Sequence, residues 1–350
     1  MSTSRRLRRF LGFIILPILI ASLLLTAQIY SLLTTPTQNF PAVPHEFSIS
    51  PGSGIQQIAS ELSVAGILPN DWSFILLAYL TKQHTAIKAG SFELKEPLSP
   101  IALLDFLVQG KGKQYQITFI EGWTFAQWRQ ALNKHPAIRH DSLPLTESEI
   151  LQLIKTNAPG AEGLFFPDTY FFNKNEPDIS ILKRAYHTMQ AHLESAWQSR
   201  QPSLPLDSAY DGLILASIIE KETGITQERD LIAGVFINRL RLGMRLQTDP
   251  TVIYGLGNKF DGNLRKIDLQ TDHPYNTYTR IGLPPTPIAM PSLASIQATF
   301  NPADTKAIYF VAKGDGTSHF STTLAEHNRA VNQYQKLRNN NPGSRGHTIN

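Results

Sequence analysis

Phe10 to Leu33 is one uncharged apolar stretch, preceded by Arg5, Arg6, Arg8 and Arg9 and followed by no Lys or Arg until Lys82. A helix of about 20 apolar residues matches the hydrocarbon core of a bilayer. The run therefore predicts a single transmembrane helix over 10–33, interrupted only by Pro17, Ser22, Thr26, Gln28 and Ser31. The one-sided arginines place residues 1–9 in the cytoplasm and the rest of the chain across the membrane. A cleaved secretory signal is the alternative, but its apolar region spans only about 7–15 residues. No small-x-small cleavage pattern follows either, since Ala27 leads into Gln28, Ile29 and Tyr30. In both cases the remainder is exported, and a chain without cysteine neither needs nor risks disulfides there.

Composition narrows the function classes. Charged residues make up 17% of the 350, and the formal net charge is only +4. No basic stripe suggests nucleic acid. His319 and His327 are not at i, i+4 spacing, and there is no His-Glu-x-x-His. Gly-x-Ser-x-Gly, P-loop and dinucleotide fingerprints are absent too. The expectation is an activity with no metal and no cofactor.

Downstream of the span, 34–45 carries Pro36, Pro41 and Pro44 and reads as an extended linker. Residues 46–113 read as a small α+β unit. Phe47 and Ile49 alternate like a strand, and Ser53 with Gln56 has capping-box spacing before the helical face Ile55, Ile58, Ala59 and Leu62. Asn70 or Asp71 caps a second helix, a second strand follows near 87–94, and Ser99-Pro100 opens a third helix that Gly110 ends. That β-α-α-β order is that of a LysM-like module; a generic small α/β packing domain has it as well. Residues 114–336 form a larger α+β domain, and the Asn-, Gly-, Ser- and Arg-rich 337–350 is expected to be a disordered tail.

The richest stretch begins at Asp211. Leu213, Ala216, Ser217 and Glu220 share one helical face, and Leu215, Ile218 and Ile219 make other sides apolar. A helix apolar around most of its circumference is buried, which puts Glu220 at the rim of a core. Burial and the negative end of the helix both favour the neutral carboxyl, with Lys221 and Arg229 opposing. A carboxyl kept near neutrality suits a general acid. Glu222 reads as a solvated helical glutamate or a partner of Lys221. Further on, Gln247-Thr248-Asp249 and Tyr275-Asn276-Thr277-Tyr278 are dense in amides, hydroxyls and aromatic faces. Such groups suit a sugar, and they are also common in ordinary loops.

Several stretches taken together resemble one family. They are Ala216-Ser217-Ile218-Ile219-Glu220-Lys221-Glu222-Thr223, Val235 to Leu240, Met244 to Gly255, Tyr275 to Tyr278 with Gly282-Leu283-Pro284-Pro285, Ile308 to Ala312, and His319-Phe320-Ser321, with Glu162-Gly163 and Phe166 to Tyr170 upstream. The chain is similar to endolytic murein transglycosylases of the MltG (YceG-like) type. The resemblance implies a single-pass protein of the bacterial inner membrane with a LysM-like module and a periplasmic catalytic domain. It implies cleavage of the β-1,4 bond between N-acetylmuramic acid and N-acetylglucosamine without water, leaving 1,6-anhydro ends and terminating nascent strands. Its catalytic residue falls on Glu220. Substrate-binding candidates are Gln247, Thr248, Asp249, Tyr275, Asn276, Thr277 and Tyr278, and the expected partners are peptidoglycan strands, the membrane and wall synthases. Two alternatives stand beside it: a non-catalytic peptidoglycan-binding scaffold, and a hydrolytic muramidase using Glu220 with Asp249.

Overall fold

The structure is a computed structural model that describes residues 3–37, 40–110 and 112–336, with side chains described except at 3–15, 17, 18, 226, 335 and 336. The tail expected over 337–350 lies outside the described residues. The class is mixed α+β, as expected. The chain divides into two compact units, one built on the chain up to Tyr115 with Phe171–Lys174, the other on Gln116–Tyr170 and the chain from Asn175 onward.

The first unit opens with α1 (Thr3–Thr34). Its described apolar residues from Leu16 to Leu25 are exposed. Among the described residues no helix is long and apolar enough to cross a membrane; the span expected over 10–33 begins on residues whose side chains lie outside the description. There follow β1 (His45–Ile49), α2 (Ile55–Val64), α3 (Asp71–Leu80), β2 (Gly90–Leu94) and α4 (Pro100–Gln109). β1 and β2 pair antiparallel with Phe47 opposite Phe92. Asn70 caps α3 by accepting from the Ser73 N–H at 3.0 Å. Ser99 caps α4 ahead of Pro100, and Gly110 ends it at φ 67°, a conformation costly for residues with a Cβ. α2 departs from the expected capping box: Gly54 is its N-cap and supplies no side-chain bond. The core joins Ile55, Ile58 and Leu62 to Phe74, Leu77, Phe92, Leu94, Leu103 and Leu107. Within the segment read as a linker, Phe40 packs on this core and Thr37 Oγ1 donates to Ile67 O at 3.1 Å.

After β3 (Tyr115–Thr118), whose first residue belongs to the first unit, the chain runs α5 (Phe125–Lys134), β4 (Ile138–Arg139), α6 (Glu147–Leu153), β5 (Thr169–Phe172), whose last two residues belong to the first unit, and then, in the second unit, β6 (Glu176–Pro177), α7 (Asp178–Gln198), α8 (Ala209–Glu222), α9 (Arg229–Arg241), α10 (Asp249–Leu256), α11 (Lys266–Gln270), α12 (Leu293–Phe300), β7 (Tyr309–Ala312), β8 (Ser318–Ser321) and α13 (Leu324–Val331). Its strands are short: β3 lies beside β5, β4 pairs parallel with β6, and β7 and β8 form a hairpin with Tyr309 opposite Ser321.

α8 is the central element. It packs against α7, α9, α10 and α12, which is why it is apolar on nearly every side and why Gly212 through Ile219 are all buried. At Gly212 the absence of a side chain is what admits the Phe300 ring of α12. Ser208 and Asp211 form a capping box at the start of α8. The run 245–251 turns into α10 at Asp249, with Pro250 in the first turn, where its missing N–H costs nothing.

Candidate active site

Glu220 lies in the last turn of α8, and its side chain is only 7% exposed. The element that meets it is the start of α12. Ser292, the N-cap of α12, donates to Glu220 Oε2 from its backbone N–H at 3.0 Å and from Oγ at 2.5 Å. Ser295 Oγ adds a third bond at 2.7 Å. The free N–H groups and positive end of a helix favour an acidic oxygen at this place. Three donors thus converge on Oε2, and Oε1 is left to other partners. Arg229, the first residue of α9, faces that oxygen, with Nη2 at 3.6 Å.

The rest of the wall is sewn to α8. Ser217, one turn before Glu220, donates to Ile214 O at 2.7 Å and accepts from the Ile288 N–H at 3.0 Å. Residues 120–123 form a turn, with Gly122 at φ 74° and Trp123 N–H bonded to Ile120 O. Gly122 N–H donates to Met290 O and Met290 N–H to Trp123 O, each at 2.8 Å. Lys221 Nζ donates to Gly122 O at 3.3 Å. A Cβ at Gly122 would stand 3.7 Å from Glu220 Cγ, so this turn is a lip over the carboxyl. Burial pushes the neighbouring Glu121 carboxyl up, the Glu220 charge pushes it further, and Arg229 opposes both.

Glu222 is not the solvated glutamate its position suggested. Its carboxyl is pushed up to about 7, by burial first and Asp249 second, against the Thr248 hydrogen bond and the Arg239 charge. Thr248 Oγ1 donates to Glu222 Oε1 at 2.6 Å. This bond ties the end of α8 to the loop that carries several of the sequence-predicted residues. Gln247 is exposed at φ 50° and donates its N–H to Thr277 O at 3.1 Å. Thr248 is buried, and its N–H donates to Thr277 Oγ1 at 3.1 Å. Asp249 is exposed and accepts from Tyr278 Oη at 2.6 Å. Asn276 is buried: its Nδ2 donates to the carbonyls of Asp268, Leu269 and Thr271, and its Oδ1 accepts from the Tyr278 N–H. Thr277 is buried in the same framework, bonded to Thr251 Oγ1 at 2.9 Å. Arg239, on α9, holds the loop from beneath through Leu246 O at 2.7 Å.

Tyr275 belongs to a second group. Its Oη bonds Thr286 Oγ1 at 2.6 Å, and its ring lies 4.9 Å from Tyr254. Tyr254 Oη donates at 3.2 Å to Glu162, which also accepts the Phe125 N–H at 3.0 Å. Burial pushes Glu162 up to about 7, aided by the Glu147 charge and opposed by those two hydrogen bonds.

A model of the YceG-like family matches residues 47–333. The chain belongs to the YceG-like family. An endolytic murein transglycosylase of Bacillus subtilis (strain 168) is 32% identical over 329 residues, covering 88% of this chain and 89% of that protein. One from Streptococcus pneumoniae (serotype 2, strain D39) is 29% identical over 321 residues, 82% of this chain but 57% of the longer relative. A 2.6 Å crystal structure of a yceG-like protein from Listeria monocytogenes matches with a TM-score of 0.51 and 27% identity, over 82% of this chain and 99% of that one.

Within this YceG-like chain, Ser292, Ser295 and Glu121 were not among the residues singled out from sequence. The pair at 292 and 295 carries a signal, because Ser-x-x-Ser after Pro291 is a helix-start pattern. Their approach to a glutamate more than 70 positions earlier is tertiary.

Proposed function

We propose that this chain is a membrane-anchored endolytic murein transglycosylase whose single acid and base is Glu220. The observation that carries the assignment is the seat of its carboxyl, shielded from water with Oε2 held by three donors and Oε1 facing Arg229. Glu220 gives its proton to the glycosidic oxygen between N-acetylmuramic acid and N-acetylglucosamine as that bond breaks. The resulting carboxylate takes the proton of the muramyl C6 hydroxyl, which closes on C1 of its own ring. No water is consumed, and a 1,6-anhydro end results. Because the nucleophile belongs to the substrate, its effective concentration is high and one carboxyl suffices. Fixed donors also avoid reorganisation when charge develops on Glu220.

Substrate contacts fall to Gln247, Asp249, Tyr275 and Tyr278, whose side chains are exposed or half-buried. Thr248, Asn276 and Thr277 shape the loops beneath them. The exposed apolar residues of α1 support its role as the anchor over 10–33, and the β-α-α-β order of the first unit supports the LysM-like reading. Anchoring keeps the enzyme near the outer face of the inner membrane, where strands emerge from wall synthases, and this suits ending their growth.

A hydrolytic muramidase needs two carboxyls. The Glu220 charge reaches Glu121, so Glu121 stands beside Asp249 as a candidate for the second group such a reading requires. The test of the assignment is Glu220→Gln in the full chain, assayed on purified peptidoglycan. The variant should fold and sediment with the wall but release no fragments; undiminished cleavage would overturn the role of Glu220 and leave a scaffold or another acid.

A further inference from the structure

α3 carries an apolar face that its own unit leaves largely exposed, with His84 stacked on the Tyr79 ring at 4.4 Å. Ser73, Phe74, Leu77 and Ala78 point into the core. Trp72, Leu76, Tyr79 and Leu80 share the other side by i, i+4, i+7, i+8 spacing and are 52%, 43%, 47% and 71% exposed. A surface helix ordinarily turns charged and polar residues outward, yet the only charge in α3 is Asp71 at its first position. Large exposed apolar patches mark interaction sites.

The surroundings of α3 name the occupant. α1 packs directly against α3 and α4, and Leu33, in its last turn, lies on the core of this unit. Phe10 to Leu33 makes a helix of ~36 Å at 1.5 Å per residue, longer than the ~30 Å of a hydrocarbon core. With the span centred in the bilayer, the final turn of α1 stands at headgroup level, and the unit it touches stands there too. Trp and Tyr, at the two ends of the stripe, are the aromatic residues that concentrate at that boundary. Lys82, two residues past the end of α3, is exposed, and a lysine beside such a face meets lipid phosphates. A second copy of the chain would have to take this face from lipid already held beside it by α1.

We infer that the Trp72, Leu76, Tyr79 and Leu80 face of α3 rests in the outer-leaflet interface of the bilayer that holds α1. The inference rests on the proposed anchoring. α3 lies along the membrane plane as an interfacial helix, with its apolar side sunk about 5–10 Å into the headgroup and acyl boundary. The first unit is thereby held at two places, by α1 passing through and by α3 lying on the surface.

The chain has no cysteine, so single-site labels report without background. Leu25→Cys, Leu76→Cys and Leu80→Cys are made in the full chain, spin-labelled and reconstituted in nanodiscs of phosphatidylethanolamine and phosphatidylglycerol. Collision with oxygen, which concentrates in lipid, is compared with collision with a water-soluble nickel chelate. The labels at 76 and 80 should meet oxygen several-fold more often than nickel, with a still larger ratio at 25. An oxygen-dominated label at 25 with nickel-dominated labels at 76 and 80 overturns the inference and leaves the anchor standing. A nickel-dominated label at 25 removes the anchor and the inference together. Shielding of 76 and 80 from both reagents assigns the face to a protein, such as a second copy, and likewise overturns it.

Discussion

Replacing Glu222 by Gln should stabilise the protein in mild alkali and leave it unchanged in acid. In the folded chain the Glu222 carboxyl is pushed up to about 7, chiefly by burial, from an ordinary value of 4.5. Each unit of pKa is ~1.4 kcal/mol, so the folded state binds this proton more tightly by roughly 3 kcal/mol. The direction follows from proton counting. Between the two values the folded chain keeps the proton and the unfolded chain has lost it, so stability falls as pH rises. The loss is complete above about 7 and absent below about 4.5. Gln mimics the protonated acid, and its Oε1 still accepts the Thr248 hydroxyl. The variant should therefore match the wild type at pH 4.5 and exceed it by roughly 3 kcal/mol at pH 8.5. Urea unfolding of both full-length proteins at the two pH values, followed by tryptophan fluorescence, measures the difference. Contributions from Glu162 and other groups cancel because both proteins share them. A stability difference that does not change with pH, or one favouring the wild type in alkali, would refute the buried, proton-holding carboxyl.

Glu162→Gln should show the same alkaline gain, since burial likewise raises that carboxyl to about 7; equal pH profiles for wild type and variant would count against it. Ser295→Ala removes one of the three donors on Glu220 Oε2. A hydrogen bond to a charged group is worth ~1.5–3 kcal/mol, so kcat should fall roughly 10- to 100-fold with little change in KM; an unaltered kcat on purified peptidoglycan would show that the bond is idle. Gly212→Ala places a methyl group in the Phe300 ring and should cost about 1–3 kcal/mol by overpacking, read from the urea midpoint; an unshifted midpoint would mean that α8 and α12 separate freely.

What could be read without coordinates follows from the range of each interaction. The all-round apolarity of α8 is a local pattern, and it correctly announced a buried helix with Glu220 at its rim. The Asn70 cap of α3 and the Ser99-Pro100 start of α4 are equally local, and both are present. Glu222 was misread because helical spacing describes only its own helix. The bond that buries its carboxyl comes from Thr248, 26 positions on. α10 was hidden for a related reason. Asp249-Pro250 serves a turn or a helix start equally well, and the choice is made by packing of α10 against α8. Asn276 and Thr277 looked available to a sugar because amides and hydroxyls bind sugars. Both side chains are instead engaged by neighbouring protein atoms, which no residue count reveals.

The mass of the cut ends tests the central claim most directly. Purified peptidoglycan is digested with the full-length enzyme, and the released glycan fragments are weighed. Attack of the muramyl C6 hydroxyl on C1 of its own ring, with Glu220 taking its proton, predicts fragments whose muramyl ends are lighter by one water than reducing ends. Fragments carrying reducing muramic acid would contradict it, and would point to hydrolysis with a second carboxyl such as Glu121.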